Sequence, residues 1–191
     1  MPPSYRLAHC FAYSRESHMT QDTYILRADE IARLEGLHKT HFLNANAQRV
    51  NKSLGDLTGL TGLGFHIIEV EPGFDTTEFH VHYFEDECVY VLAGTATAYI
   101  GEEAHPIGPG DFIGYRAGGL PHGITNTGSE TLRLIVVGQR LLHDVGDYPR
   151  QRKRIYRNAG LAWDLVDHAA IEEPKAGEKK FAAISWITSP S

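Results

Sequence analysis

His80 and His82 stand one residue apart in the stretch "FHVHYFEDECVYVLAG", Phe79 to Gly94. Side chains alternate faces along a β-strand, so both imidazoles project to one side and Val81 to the other. Two imidazoles on one face make half of a divalent-metal site. Glu87 follows the short acidic link "YFED", and a hairpin there would return its carboxylate beside the histidines. His122, after the loop "RAGGLP", is placed to add a third imidazole from a later strand. Three nitrogens and one oxygen suit one divalent transition metal ion: zinc, iron, manganese, nickel or copper. Such a set leaves coordination positions open for water or substrate. The competing reading is coincidence, since a chain with 11 histidines will hold an occasional His-x-His pair. The acid, the turn glycines and the third histidine at fitting places favour the metal.

Other side chains extend the candidate site. Glu78 shares strand parity with His80 and His82, which makes it the candidate catalytic acid or base; the blander alternative is a strand-end carboxylate in water. Glu85 and Asp86 are alternative ligands, or a solvated tip that orients His82. Asn126 has the parity of His122, and Arg116 is suited to hold a carboxylate or phosphate. The basic run Arg150, Arg152, Lys153, Arg154 and Arg157 reads as a solvated face or an intersubunit contact, with anion binding as the alternative. His66, His105, His143 and His168 have no partner pattern and read as structural.

The elements that must position these groups are strands. β signals recur at Phe65–Val70, Glu78–His82, Cys88–Ala93, Thr95–Ile100, Asp111–Tyr115, His122–Asn126 and Leu132–Gln139. Turn signals such as "EPGFD", "IGEEA", "GPGD" and "NTGSE" separate them. Short strands at close spacing with no helix between them predict an antiparallel sandwich or barrel. Ahead of them, Ile31, Leu34 and Leu37 share a helical face, which predicts a short helix over 26–37. "SLGDLTGLTGLG", Ser53 to Gly64, reads as turns. Behind the strands, "EEPKAGEKK" reads as a flexible linker and "FAAISWITS" as a strand that packs on the barrel or on a second subunit. The expected organisation is an N-terminal extension with the helix over 1–50, a barrel domain over 51–145 and a C-terminal extension over 146–191.

Two motifs carry a family resemblance. Gly73 to Gly94 reads G-x6-H-x-H-x4-E-x6-G, and resembles the first cupin motif with one extra residue after its first glycine. Gly110 to Asn126, "GDFIGYRAGGLPHGITN", resembles the second, with Arg116 where proline is expected and one extra residue between Gly118 and His122. The resemblance implies an all-β fold, the double-stranded β-helix or cupin jelly-roll barrel, and maps His80, His82, Glu87 and His122 onto the metal ligands. With "KSLGDLTGL" before and "HDVGDYPRQRKRIYR" after, the chain is similar to small bacterial cupin-domain proteins, some labelled sugar-phosphate isomerases. Isomerase, lyase and dioxygenase chemistry on a small polar or anionic molecule are the activities implied. The alternative is a non-catalytic cupin that binds or senses a small ligand.

Composition narrows the classes. Apolar residues make up 42% and charged residues 22% of 191, an ordinary globular balance. A formal charge of −6 argues against a general nucleic-acid binder, and no apolar stretch is long enough to span a membrane. Two cysteines, Cys10 and Cys88, cannot build a disulfide framework, and Cys88 reads as a small buried hydrophobe. These features favour a reducing, cytoplasmic setting. Met19 is read as the natural start, with a transit peptide as the alternative for the residues before it. Covering the open sheet edges across a two-fold predicts a homodimer.

Overall fold

The computed structural model describes residues 23–172 and 174. Cys10, the segment before Met19 and the apolar tail at 181–189 lie outside the described residues. Helix α1 (Ala28–Arg33) is shorter than its periodicity predicts, and Leu34 has already turned extended, with φ −63° and ψ 123°. None of its residues is buried, so no packed face offsets the cost of nucleating a longer helix.

Strands β1 (Leu37–His41) and β2 (Asn44–Ser53) follow as a hairpin the sequence reading did not anticipate. A one-turn helix α2 (Leu54–Leu57) leads into β3 (Leu63–Val70), where only turns were expected. Then come β4 (Val81–His82), β5 (Glu87–Ala93), β6 (Ala96–Ile100), β7 (Glu103–Ile107), β8 (Phe112–Tyr115), β9 (His122–Thr125) and β10 (Leu132–Gln139). Three more strands close the described chain: β11 (His143–Tyr148), β12 (Lys153–Asn158) and β13 (Asp164–Asp167). No described helix is long and apolar enough to cross a membrane.

All the strand pairs are antiparallel. One sheet runs β1-β2-β3-β10-β5-β8. Opposite it lie β7-β6-β9 and β13-β12-β11-β4. A single bridge between His80 and His122 joins these last two into one continuous layer. The result is an antiparallel barrel, one of the two architectures that the strand pattern predicts, with the jelly-roll form that the resemblance implies.

Alternation explains the packing. Val89 and Val91 of β5 point inward to meet Ile68 and Val70 of β3 and Leu132 and Leu134 of β10. Val70, Val91, Leu132 and Leu134 are completely buried. Each such side chain contributes about 1.5–3 kcal/mol by leaving water, which fixes this end of the barrel as a rigid floor. Cys88, on the outward face of β5, is only half-buried and not the core residue its apolar neighbours suggested.

The β5–β6 turn depends on Gly94, which has φ +80°. A Cβ there would come within 2.9 Å of Leu132 Cα and of the Thr131 carbonyl. Both obstacles are backbone, so neither can swing away. Gly94→Ala is expected to cost about 2–3 kcal/mol and lower the thermal midpoint by about 5–10 °C, read by circular dichroism. An unchanged midpoint would mean that the turn relaxes freely.

Candidate metal centre

The histidines sit where the two layers part. His80 precedes β4, and its backbone exchanges hydrogen bonds with His122, N to O at 3.0 and 2.7 Å. This bridge holds the two imidazoles together, with ring centroids 4.7 Å apart. His82 lies opposite Gly146 of β11. Glu87 opens β5 in the facing sheet, opposite Gly138 of β10 and Tyr115 of β8. The link 83–86 is therefore a crossing between layers and not the hairpin expected from sequence. Asp86 anchors it: its carboxylate accepts from Ala117 N at 2.7 Å, and its own N–H donates to Gln139 Oε1 at 2.9 Å. The crossing still delivers the carboxylate, with Glu87 Oε1 3.9 Å from His122 Nε2.

Each imidazole is tied at Nδ1. That of His80 meets the Glu78 carbonyl at 2.8 Å, that of His82 meets Asp144 Oδ2 at 2.7 Å, and that of His122 meets the Leu120 carbonyl at 3.2 Å. These partners are acceptors, so Nδ1 carries the proton and Nε2 presents a lone pair. His80 Nε2 and His82 Nε2 face each other at 3.1 Å. His122 Nε2 is buried with no hydrogen-bond partner among the described residues. Converging lone pairs repel unless a cation lies among them, and an orphaned buried nitrogen is costly. The donor set thus fits a divalent ion. Ligand atoms of His80, Glu87 and His122 all lie within 4.8 Å of one another, with His82 reaching the group through His80.

Burial holds His80 and His122 neutral. It pushes His122 down to about 4 and, with His82 and His122 adjacent, His80 well below the ordinary histidine value. The Glu87 carboxyl is pushed up by the same desolvation, which the nearby His82, Arg49 and Arg157 only partly offset. Tyr115 stacks on His122 at a 3.6 Å centroid distance and a 4° interplanar angle, fixing the third ring in place.

A second cluster joins His82, Glu85 and Asp144. It already has its cation. Arg157 Nη2 donates to Asp144 Oδ2 at 2.5 Å and to Glu85, and lies 3.2 Å from His82 Nδ1. Burial pushes the Asp144 carboxyl up, but hydrogen bonds from His82 and Arg157 outweigh it and hold the group well below the usual carboxylate range. Glu85 is buried, and it also accepts from Leu141 N at 2.9 Å. It orients the site through Arg157 instead of sitting among the three clustered ligands.

The remaining candidates fall elsewhere. Glu78 is buried beside His80, and its contact with that ring is through its backbone carbonyl. Its side chain is not part of the cavity wall, which includes the nearby Thr76 and Thr77. Asn126, wholly buried, donates to the Val70 and Glu130 carbonyls and serves the turn after β9. Arg116 is exposed and outside the histidine cavity. The basic run divides: Arg157 turns inward, Arg154 pairs with Asp147, Lys153 with Asp167, and Arg150 lies over the Phe79 ring.

The cavity holding the cluster measures about 730 Å³. Its floor is the apolar core, including Ile68, Val89 and Leu134, and its walls mix apolar side chains such as Phe42, Ile155 and Trp163 with polar ones. A cavity of this volume accommodates a small molecule.

Comparison with known proteins identifies the fold. The Cupin domain family model matches residues 66–138. A crystal structure from Acidithiobacillus ferrooxidans, described as a "Putative sugar phosphate isomerase", is 51% identical. The match covers 80% of this chain and 97% of that one, with a TM-score of 0.77. The chain belongs to the cupin superfamily. A second cupin structure, described as a sugar phosphate isomerase from Silicibacter pomeroyi, is 24% identical over 74% of this chain and 91% of that one, with a TM-score of 0.63. At that identity it supports the fold alone. No curated protein matches the chain.

Sequence reading misses Asp144 in this cupin and assigns Arg157 to a solvated face or an intersubunit contact. Both lie beyond the two motifs, directly opposite each other in the β11–β12 ladder. The strand "KRIYRN" gave no usable signal, because its polar and apolar residues come in pairs instead of alternating.

Proposed function

We propose that this cupin is a metal-dependent enzyme acting on a small polar molecule, with sugar-phosphate isomerisation the first reaction to test. The observation that carries the reading is the convergence of three imidazole Nε2 atoms, each with Nδ1 tied to an acceptor, beside a desolvated carboxylate in a substrate-sized cavity. The description of the 51%-identical relative supports isomerase chemistry as the starting point. His80, His82 and His122 would hold one divalent ion through Nε2, with Glu87 as the oxygen donor. A bound ion of this kind supplies Lewis-acid polarisation of a substrate oxygen or activates a small oxygen species. The chain supplies the rest. Tethers at Nδ1 fix the rings, Tyr115 clamps His122, and the apolar floor limits water around the reacting group.

The test is turnover. Purified protein would be assayed for metal, then incubated with a panel of phosphorylated aldoses and ketoses followed by NMR. Conversion that stops on chelation and returns with one metal is the expected result. Binding without conversion across the panel would favour a sensing cupin, and protein that takes up no metal would end the enzymatic reading.

A further inference from the structure

On the wall of the same cavity, Lys39 of β1 and Arg49 of β2 are direct cross-strand partners. Like charges placed opposite each other destabilise a strand pair. Neither side chain is fully exposed, so water does not screen them completely. Nearby cations are neutralised: Arg140 pairs with Asp56 and Lys52 with Glu69. Among the described residues, neither Lys39 nor Arg49 has a carboxylate in ion-pair contact. Arg49 donates from Nη1 to the Thr76 carbonyl, and its buried Nε has no hydrogen-bond partner among the described residues. His41, two residues from Lys39, also lines the cavity. Burial and the Arg49 charge push it down to about 4, so at neutral pH it adds a neutral imidazole to the wall. Glu87 attracts Arg49 across the cavity, but that carboxylate belongs to the candidate metal centre.

An unpaired, partly desolvated guanidinium facing an ammonium is an expensive arrangement with no structural return. A bound anion would relieve it. A guanidinium fork with an ammonium beside it matches the oxygens of a carboxylate or phosphate. We propose that Lys39 and Arg49 form an anion subsite, which takes the carboxylate or phosphate group of a small molecule whose other end meets the histidine cluster. This rests on reading the cavity as a substrate site, and it deepens that reading by naming the substrate's charge.

Calorimetric titration with inorganic phosphate and with malonate tests the subsite, on metal-stripped and on zinc-loaded protein. The stripped arm is decisive, because malonate can bind zinc directly. The parent is expected to bind one of the two anions in both arms, and the tighter one identifies the substrate group. Arg49→Gln and Lys39→Gln should each weaken that binding by about tenfold or more, with zinc stoichiometry unchanged. Arg49→Lys should recover part of the loss. Lys39→Gln should also raise the midpoint of the ligand-free protein by about 1–3 °C, because it removes a repulsion. A merely structural lysine would lower it. Equal binding by parent and both variants, or no binding of either anion to the parent at tens of millimolar, overturns the subsite. Anion binding that persists in a protein unable to take up zinc would keep the subsite and reject the metal reading. If Arg49→Gln fails to fold, Lys39→Gln and Arg49→Lys decide the question.

Discussion

Alanine at both His80 and His122 is expected to abolish metal uptake. Elemental mass spectrometry should find about one divalent ion per parent chain and less than about a tenth of that in the variant. The size of the effect follows from the donor set. Losing a group that merely orients a ligand costs about 10–100-fold in metal affinity, so losing two ligating nitrogens should exceed the upper figure. The two residues also hold each other, since His80 and His122 share the bridge that joins the two halves of one layer. That bridge is backbone to backbone, so alanine preserves it and the fold survives the test. A second readout separates metal binding from any packing loss. Zinc at about 100 times its dissociation constant adds about 2.7 kcal/mol to a protein that binds it only when folded, or about 5–11 °C in midpoint for a chain of this size. The parent should show that shift and the variant should not. Metal retained equally by both would mean that the ion sits elsewhere, and would reject His80, His82, Glu87 and His122 as a set.

The iron-against-zinc outcome also directs the chemistry. Iron that copurifies with the parent and is lost in the variant would move oxygen-activating reactions ahead of isomerisation. Zinc, manganese or nickel would keep the sugar-phosphate panel first. Both outcomes use the same cavity, since the apolar floor and the tethered rings do not depend on the ion's identity.

Legibility in the sequence followed the range of the interactions involved. The inward residues of β5 and β10 declare themselves through local alternation, and the His80–His82 pair does so through a spacing of two. Glu87 was legible for a reason that proved incomplete. Its position after the acidic link suggested a hairpin, whereas the chain crosses between layers and pairs β5 with β10, more than 40 residues away. Periodicity over-extends the helix across 26–37 because it does not say whether a face is covered, and among the described residues nothing buries α1. The β1–β2 hairpin turns through Phe42 and Leu43, with no glycine to mark it, so the Lys39–Arg49 pairing was invisible. The β11–β12 hairpin was hidden differently. Its turn puts Arg152 in the left-handed region at φ +52°, a conformation that arginine does not advertise. Without that turn, Asp144 and Arg157 are thirteen residues apart and unconnected.

That hidden pair carries the second large prediction. Arg157→Met should lower stability by about 3 kcal/mol or more, because it strands two carboxylates that the fold has already taken from water. Asp144 has a side chain only 1% exposed and Glu85 one 8% exposed, and Arg157 donates to both. The expected midpoint loss is about 6–12 °C. Methionine keeps most of the aliphatic volume, so the loss would report charge and not a hole. The pH dependence fixes the sign. In the parent, Asp144 titrates below its ordinary value near 3.8, so its contribution is fully present above that value and is lost as the pH falls through the depressed one. In the variant, adjacent buried carboxylates without a cation should bind a proton at milder acidity. The gap between variant and parent should therefore narrow as the pH drops from 7 towards 4, and Glu85→Gln on top of Arg157→Met should recover part of it at pH 7. A gap constant over that range would reduce Arg157 to a packing residue. If the gap does narrow, metal affinity should also fall by about 10–100-fold at pH 7, since Asp144 fixes the His82 ring through Nδ1 and Arg157 fixes Asp144. The ion pair would then be the support that aims a metal ligand from a hairpin outside both sequence motifs.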